Sequence, residues 1–140
     1  MIRPPLPSDQ GYIASTWARS VLSTHAHQRH MSSRTGAQVG KQIDAVLDRP
    51  DTRGLVVCSD ADRDRILAWM VYCDGPATPV VFYLYTRRDD RGVGHAAALL
   101  SRIGVTRHKG VVCTSLGPSS ESMRGRFKAS VYVPLQEFLK

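Results

Sequence analysis

Two hydrophobic periods divide this chain into helices and strands. Ile13, Trp17 and Val21 recur four residues apart, which places them on one face of a helix. Ser8 is the expected cap of a helix beginning at Asp9, where a carboxylate also suits the positive end of the helix dipole. From Ser23 to Arg34 the chain is polar, rich in His and Ser and without a period, which predicts a loop or irregular turn. Thr35 and Gln38 have the spacing of a capping box for a second helix. Val39, Ile43, Val46 and Leu47 form its apolar stripe, and Pro50 marks its end.

Beyond Pro50 the period changes. Gly54 to Ser59 and Ile66 to Cys73 are apolar runs of strand length on either side of the charged turn Asp60-Ala61-Asp62-Arg63-Asp64, a hairpin pattern. Asp74-Gly75-Pro76 turns the chain into a β-branched and aromatic run, Val80 to Thr86. A polar, glycine-bearing segment leads to an apolar helical stretch, Ala96 to Ile103, stopped at Gly104, and then to a buried-type strand, Val111 to Ser115. Two helices, an antiparallel meander and a β-α-β unit make a single α+β domain over residues 1–140, without repeat, linker or low-complexity tract.

The segment with the most specific chemistry is Arg91-Gly92-Val93-Gly94-His95-Ala96, between the third strand and its following helix. Glycines let the backbone approach a ligand closely, and the free N–H groups and dipole of a starting helix favour an anion there. The segment reads as a cradle for a phosphorylated cofactor. Two other glycine patterns fit less well. Gly36-Ala37-Gln38-Val39-Gly40-Lys41-Gln42 has three residues where a Walker loop needs four, and no Ser or Thr for magnesium. Gly92-x-Gly94-x-x-Ala97 matches a dinucleotide fingerprint on paper. However, Arg87 to Arg91 separate it from the strand, and no carboxylate closes Val111 to Ser115 to take a ribose hydroxyl.

Leu84-x-Thr86, then Arg91-x-x-Gly94-x-Ala96, then Leu99-Leu100 resembles the acyl-CoA-binding motif of the GNAT N-acyltransferase superfamily, Arg/Gln-x-x-Gly-x-Gly/Ala after the fourth strand. The opening Ile2-Arg3-Pro4-Pro5, with Asp9 and Ile13, is similar to the first strand and helix of that family, so the likeness spans nearly the whole chain. The resemblance implies a mixed, mostly antiparallel twisted sheet with helices on both faces. It also implies acetyl-CoA as co-substrate, held by Leu84, Thr86, Arg91, Gly92, Val93, Gly94, His95 and Ala96. The implied activity is CoA-dependent N-acetyl transfer to a primary amine, on a small molecule or a protein, by direct attack on the thioester. The pantetheine would lie against an open edge of Leu84-Tyr85-Thr86, and a backbone N–H of that strand would stabilise the oxyanion.

The family's usual catalytic groups are incomplete here. A tyrosine often protonates the leaving thiolate from a Phe-Tyr pair in the last helix, yet Phe127 is followed by Lys128. No glutamate occurs between Asp74 and Asp89 to serve as base. Tyr83 and Ser119 are the candidate catalytic hydroxyls, each with a plainer role: strand filler for Tyr83, and for Ser119, with Ser120 and Ser122, helix capping. Of Tyr83 and Tyr85, one is expected to face the cleft and the other the core. His25-x-His27-x-x-His30 has no fourth ligand near it and is expected to line the acceptor pocket rather than hold a metal; no metal is expected.

Composition narrows the partners. The chain is 42% hydrophobic and 22% charged, which excludes disorder. No run approaches the roughly 18 apolar residues of a membrane span, and the N-terminus lacks a signal-peptide pattern, so a cytoplasmic protein without membrane attachment is expected. Cys58, Cys73 and Cys113 lie in strand-like runs without C-x-x-C spacing, and buried reduced thiols are expected. The net charge of +7 suits either nucleic acid or a polyanionic small molecule. Arg87, Arg88, Arg91, Arg102, Arg107, His108 and Lys109 bracket the cradle, where they suit the diphosphate and 3′-phosphate of CoA. Two alternatives stay open at this point: a nucleic-acid-directed protein on the same fold, and a non-catalytic binding module.

Overall fold

Strands whose residues are apolar at nearly every position need cover on both faces, and the sheet of this protein receives it. The computed structural model describes residues 1–24, 33–105, 110–114, 130–133 and 135–139. Within them run β1 (Ile2–Arg3), α1 (Gln10–Thr24), α2 (Ser33–Leu47), β2 (Arg53–Cys58), β3 (Ile66–Cys73), β4 (Val80–Thr86), α3 (His95–Arg102), β5 (Val111–Cys113), β6 (Ser130–Tyr132) and α4 (Leu135–Phe138). The six strands lie side by side in chain order. β1 to β4 pair antiparallel, whereas β4 with β5 and β5 with β6 pair parallel. The mixed, mostly antiparallel sheet with helices on both faces is the architecture the sequence predicts.

Side-chain alternation splits the core into two layers. On one face Leu55, Val57, Ala68, Met70, Val81, Leu84 and Val111 pack under Leu99 and Leu100 of α3. On the other, Val56, Trp69, Val71, Phe82 and Tyr83 pack under Ile13 and Trp17 of α1 and Ile43 and Val46 of α2, with α4 joining through Leu135 and Phe138. Each large apolar side chain removed from water in this way contributes about 1.5–3 kcal/mol. Trp69, fully buried, keeps its one polar atom satisfied by donating from Nε1 to Thr16 Oγ1 at 2.9 Å.

The helix starts differ from the sequence reading. A single 3₁₀ turn, Pro7–Asp9, precedes α1, which begins at Gln10, so Ser8 is not its cap. Asp9 instead accepts from the Leu6 N–H at 2.7 Å and from Arg3 Nη1 at 2.7 Å, a buried ion pair. Arg3 Nη2 also donates to the Arg63 carbonyl at 3.0 Å, so one guanidinium ties β1 to the 3₁₀ turn before α1 and to the β2–β3 turn. The α2 helix starts at Ser33, two residues before the expected capping box at Thr35. At the other end of the chain's third helix the expectation is met. Gly104, at φ +84°, allows Val105 N–H to reach the Leu100 carbonyl and Gly104 N–H the Ser101 carbonyl, which is a Schellman closure.

Candidate functional site

Among the described residues, β4 starts paired on both sides and finishes paired on one. Val80 lies opposite Val112 and Val81 opposite Cys113 of β5. Against β3 the register runs Tyr72 to Val81 and then Val71 to Tyr83, so Phe82 is an extra residue, a β-bulge. The bulge turns two successive carbonyls to one edge, and Thr114 takes both. Its N–H donates to Val81 O at 3.2 Å and its hydroxyl to Phe82 O at 3.1 Å, and the residue is only 4% exposed. Beyond this fork β4 has no partner on the β5 side among the described residues.

Strand alternation then decides which groups face the open edge. Arg87 N–H donates to Leu67 O at 2.9 Å, toward β3, so the N–H and C=O of Leu84 and Thr86 point the other way. The Thr86 carbonyl is taken by Arg91 Nε at 3.2 Å. A peptide-like group laid along this edge would find the Leu84 N–H and C=O and the Thr86 N–H.

The glycine loop begins where that edge ends. After a 3₁₀ turn, Arg88–Asp90, the chain passes through Gly92 at φ +83° and Gly94 at φ +91°. Gly94 is the N-cap of α3, and its carbonyl receives the first helical bond, from Ala98 N–H at 3.0 Å. The N–H groups of His95, Ala96 and Ala97 therefore have no acceptor within the helix. A Cβ at Gly92 or Gly94 would meet nothing within 4 Å, so backbone conformation and not crowding demands glycine, and the space beside the loop is open. Arg91 to Gly94 are exposed, Val93 at 69%. An unpaired strand edge and a helix N-terminus, linked by Arg91, fit an elongated ligand with amides at one end and phosphates at the other.

The opposite face of β4 carries an aromatic layer. Trp17 stacks on Tyr83 with centroids 5.6 Å apart, and Trp69 meets Tyr83 at 5.8 Å and Tyr85 at 5.6 Å. Tyr83 and Tyr85 thus do not divide between cleft and core: residues two apart in a strand share a face, and the bulge precedes both. The Tyr83 hydroxyl lies 2.6 Å from Ser20 Oγ, and the residue is 7% exposed. Burial first, and then neighbouring Tyr85, push the Tyr12 hydroxyl above the ordinary phenol range, with Arg87 and Arg19 acting against them.

Sequence reasoning passed over Thr114, Ser20 and Tyr12. For the last two a signal existed: Tyr12, Thr16 and Ser20 repeat at four-residue spacing beside the apolar stripe of α1. Thr114 had none, because its role depends on a bulge 32 residues earlier. Ser119, with Ser120, Ser122 and Phe127, the His25, His27 and His30 group, and Arg107, His108 and Lys109 lie outside the described residues. Among those described, no cluster of His, Cys, Asp and Glu could hold a metal, and no helix is long and apolar enough to cross a membrane. Cys58, Cys73 and Cys113 are buried and in no disulfide, and burial pushes the Cys73 thiol up.

No protein-family model matches the chain, and no curated protein matches its sequence. Solved structures do match its shape. A candidate acetyltransferase of Bacillus subtilis, YycN, superposes with a TM-score of 0.63 at 11% identity, over 91% of this chain and 88% of that one. A Bacillus halodurans protein gives 0.60 at 13% identity, over 89% and 87%. A predicted acetyltransferase of Clostridium acetobutylicum, solved with acetyl-CoA, gives 0.50 at 14% identity, over 95% and 79%. At these identities the likeness speaks for the fold: the chain has the fold of the GNAT acetyltransferases.

Proposed function

We propose that this protein is a CoA-dependent N-acyltransferase, which moves an acetyl group from acetyl-CoA to a primary amine by direct attack on the thioester. The observation that carries this reading is the junction of the Leu84–Thr86 edge, which has no strand partner among the described residues, with the glycine-rich start of α3, through Arg91 Nε and the Thr86 carbonyl. Leu84 and Thr86 would hold the pantetheine amides. Arg91, Gly92, Val93, Gly94, His95 and Ala96 would hold the diphosphate, the exposed Arg91 adding charge to the helix N–H groups. The co-substrate would supply an activated acyl carbon.

The chain's own contribution is placement and charge. A β4 N–H fixed on the open edge is a preorganised donor for an oxyanion, because the fork at Thr114 holds the strand in place. Tyr83 and Ser119 remain the hydroxyls proposed to handle the proton, and the contact of Tyr83 with Ser20 Oγ gives it a partner through which a proton can pass. The test is thiol release from acetyl-CoA across a panel of primary amines. Amine-dependent release is expected, with Tyr83→Phe lowering kcat and leaving the KM for acetyl-CoA unchanged. Binding of CoA without turnover of any amine would refute catalysis and leave a binding module.

A further inference from the structure

The aromatic layer over β4 is closed at its centre and open at one end. Trp17, Trp69 and Tyr83 are buried, whereas Tyr12 and Tyr85 are only half-buried. That open end lies over the last residues of β4, beside the stretch whose other edge has no strand partner among the described residues. Two arginines frame it. Arg19 follows Tyr12 by two helical turns on α1 and so shares its face. Arg87 follows Tyr85 by two residues along the extended strand end and points to the same side. Both guanidinium groups are near enough to act on the Tyr12 hydroxyl. Asp90 lies 3.6 Å from Arg87 Nε, and its buried Oδ2 makes no hydrogen bond, so it offsets the charge of Arg87 without occupying its donors.

Such a rim repels a bare ammonium group. It suits a ligand whose own anion meets the guanidinium forks and cancels the charge of its amine. Building on the acyltransferase reading, we infer that the acceptor is a small primary amine bearing its own carboxylate or phosphate, received against the neighbouring Tyr12 and Tyr85 side chains, between Arg19 of α1 and Arg87 just past the end of β4. The anion engages the arginines, the tyrosine rings and hydroxyls flank the body of the molecule, and the amine is left to point toward the Leu84 edge.

The test is calorimetric titration of matched pairs: phenylalanine against phenethylamine, β-alanine against propylamine, phosphoethanolamine against ethanolamine. Each is titrated into protein saturated with CoA and into protein alone. At least one anionic member should bind about tenfold or more tighter than its partner, the margin of one charge-assisted hydrogen bond. Arg19→Gln should reduce that margin while CoA affinity stays unchanged, and Arg19→Gln with Arg87→Gln should abolish it. Arg19 is exposed, and Arg19→Gln alone should act in the same direction if the double variant does not fold. Tighter binding of the amines that lack an anion, no binding of any member that carries a carboxylate or phosphate, or a margin that survives both substitutions overturns the inference. Failure of CoA to bind would instead count against the acyltransferase reading, and the titrations on protein alone would still decide this one.

Discussion

Arg91 Nε donates to the Thr86 carbonyl at 3.2 Å, and through this bond the glycine loop is fastened to the last residue of β4. The bond occupies a carbonyl on the open edge and sets where the loop begins relative to the strand. Arg91→Lys keeps the charge but cannot reproduce a planar guanidinium bond. The expected result is a CoA dissociation constant raised about tenfold, near 1.4 kcal/mol, with little change in melting temperature because Arg91 is exposed. Unchanged affinity in Arg91→Lys would show that charge alone matters at this position.

Thr114 governs the other end of the edge. In Thr114→Val the shape is kept, but the Phe82 carbonyl loses its donor in a buried place, which costs about 1–3 kcal/mol. Urea unfolding should show that loss, and CoA affinity should fall about fivefold as the fork loosens. Thr114→Ser keeps the hydroxyl and should restore binding more than stability. If Thr114→Val destabilises the protein without touching CoA affinity, the fork supports the fold and not the site.

The Arg3–Asp9 pair sets a pH dependence. The Arg3 hydrogen bond holds the Asp9 carboxyl below the usual carboxylate range, outweighing burial, which acts upward. A carboxyl depressed in the folded state contributes stability above its unfolded pKa of about 3.9, and that contribution is lost as pH falls through the folded value. Asp9→Asn leaves the Arg3 charge buried without its partner and should cost about 3–5 kcal/mol at pH 7. Below about pH 4 the difference between the two proteins should shrink. Parallel acid-unfolding curves of wild type and variant would contradict the role assigned to the pair.

The pattern of apolar residues made most of this fold legible. Ile66–Cys73 and Val80–Thr86 emerge with the predicted bounds, because continuous apolar runs between turn signals leave little choice of register. The glycine loop was legible too, since Gly92 and Gly94 sit where positive φ is required. Helix starts were not: Ser8 and Thr35 carry good local capping chemistry, yet the long-range pull of Arg3 on Asp9 and the extension of α2 to Ser33 moved both boundaries. The bulge at Phe82 was illegible because nothing local marks it. Phe82 is held from afar by the edge of the Phe138 ring at 5.3 Å and by Thr114.

CoA binding to wild type, Gly94→Ala and Gly94→Glu, measured side by side by calorimetry, tests the central claim most directly. Gly94 sits at φ +91°, so any side chain there carries strain of about 1–2 kcal/mol, which Gly94→Ala measures alone. Gly94→Glu adds a negative charge at the helix N–H groups, where the diphosphate of CoA would lie. The wild type is expected to bind CoA one to one and to be stabilised by it. Gly94→Glu, with circular dichroism near that of Gly94→Ala, is expected to bind at least about tenfold more weakly than Gly94→Ala. Absence of CoA binding by folded wild-type protein at millimolar concentration, or equal binding by Gly94→Glu and Gly94→Ala, would overturn the cofactor site at the start of α3.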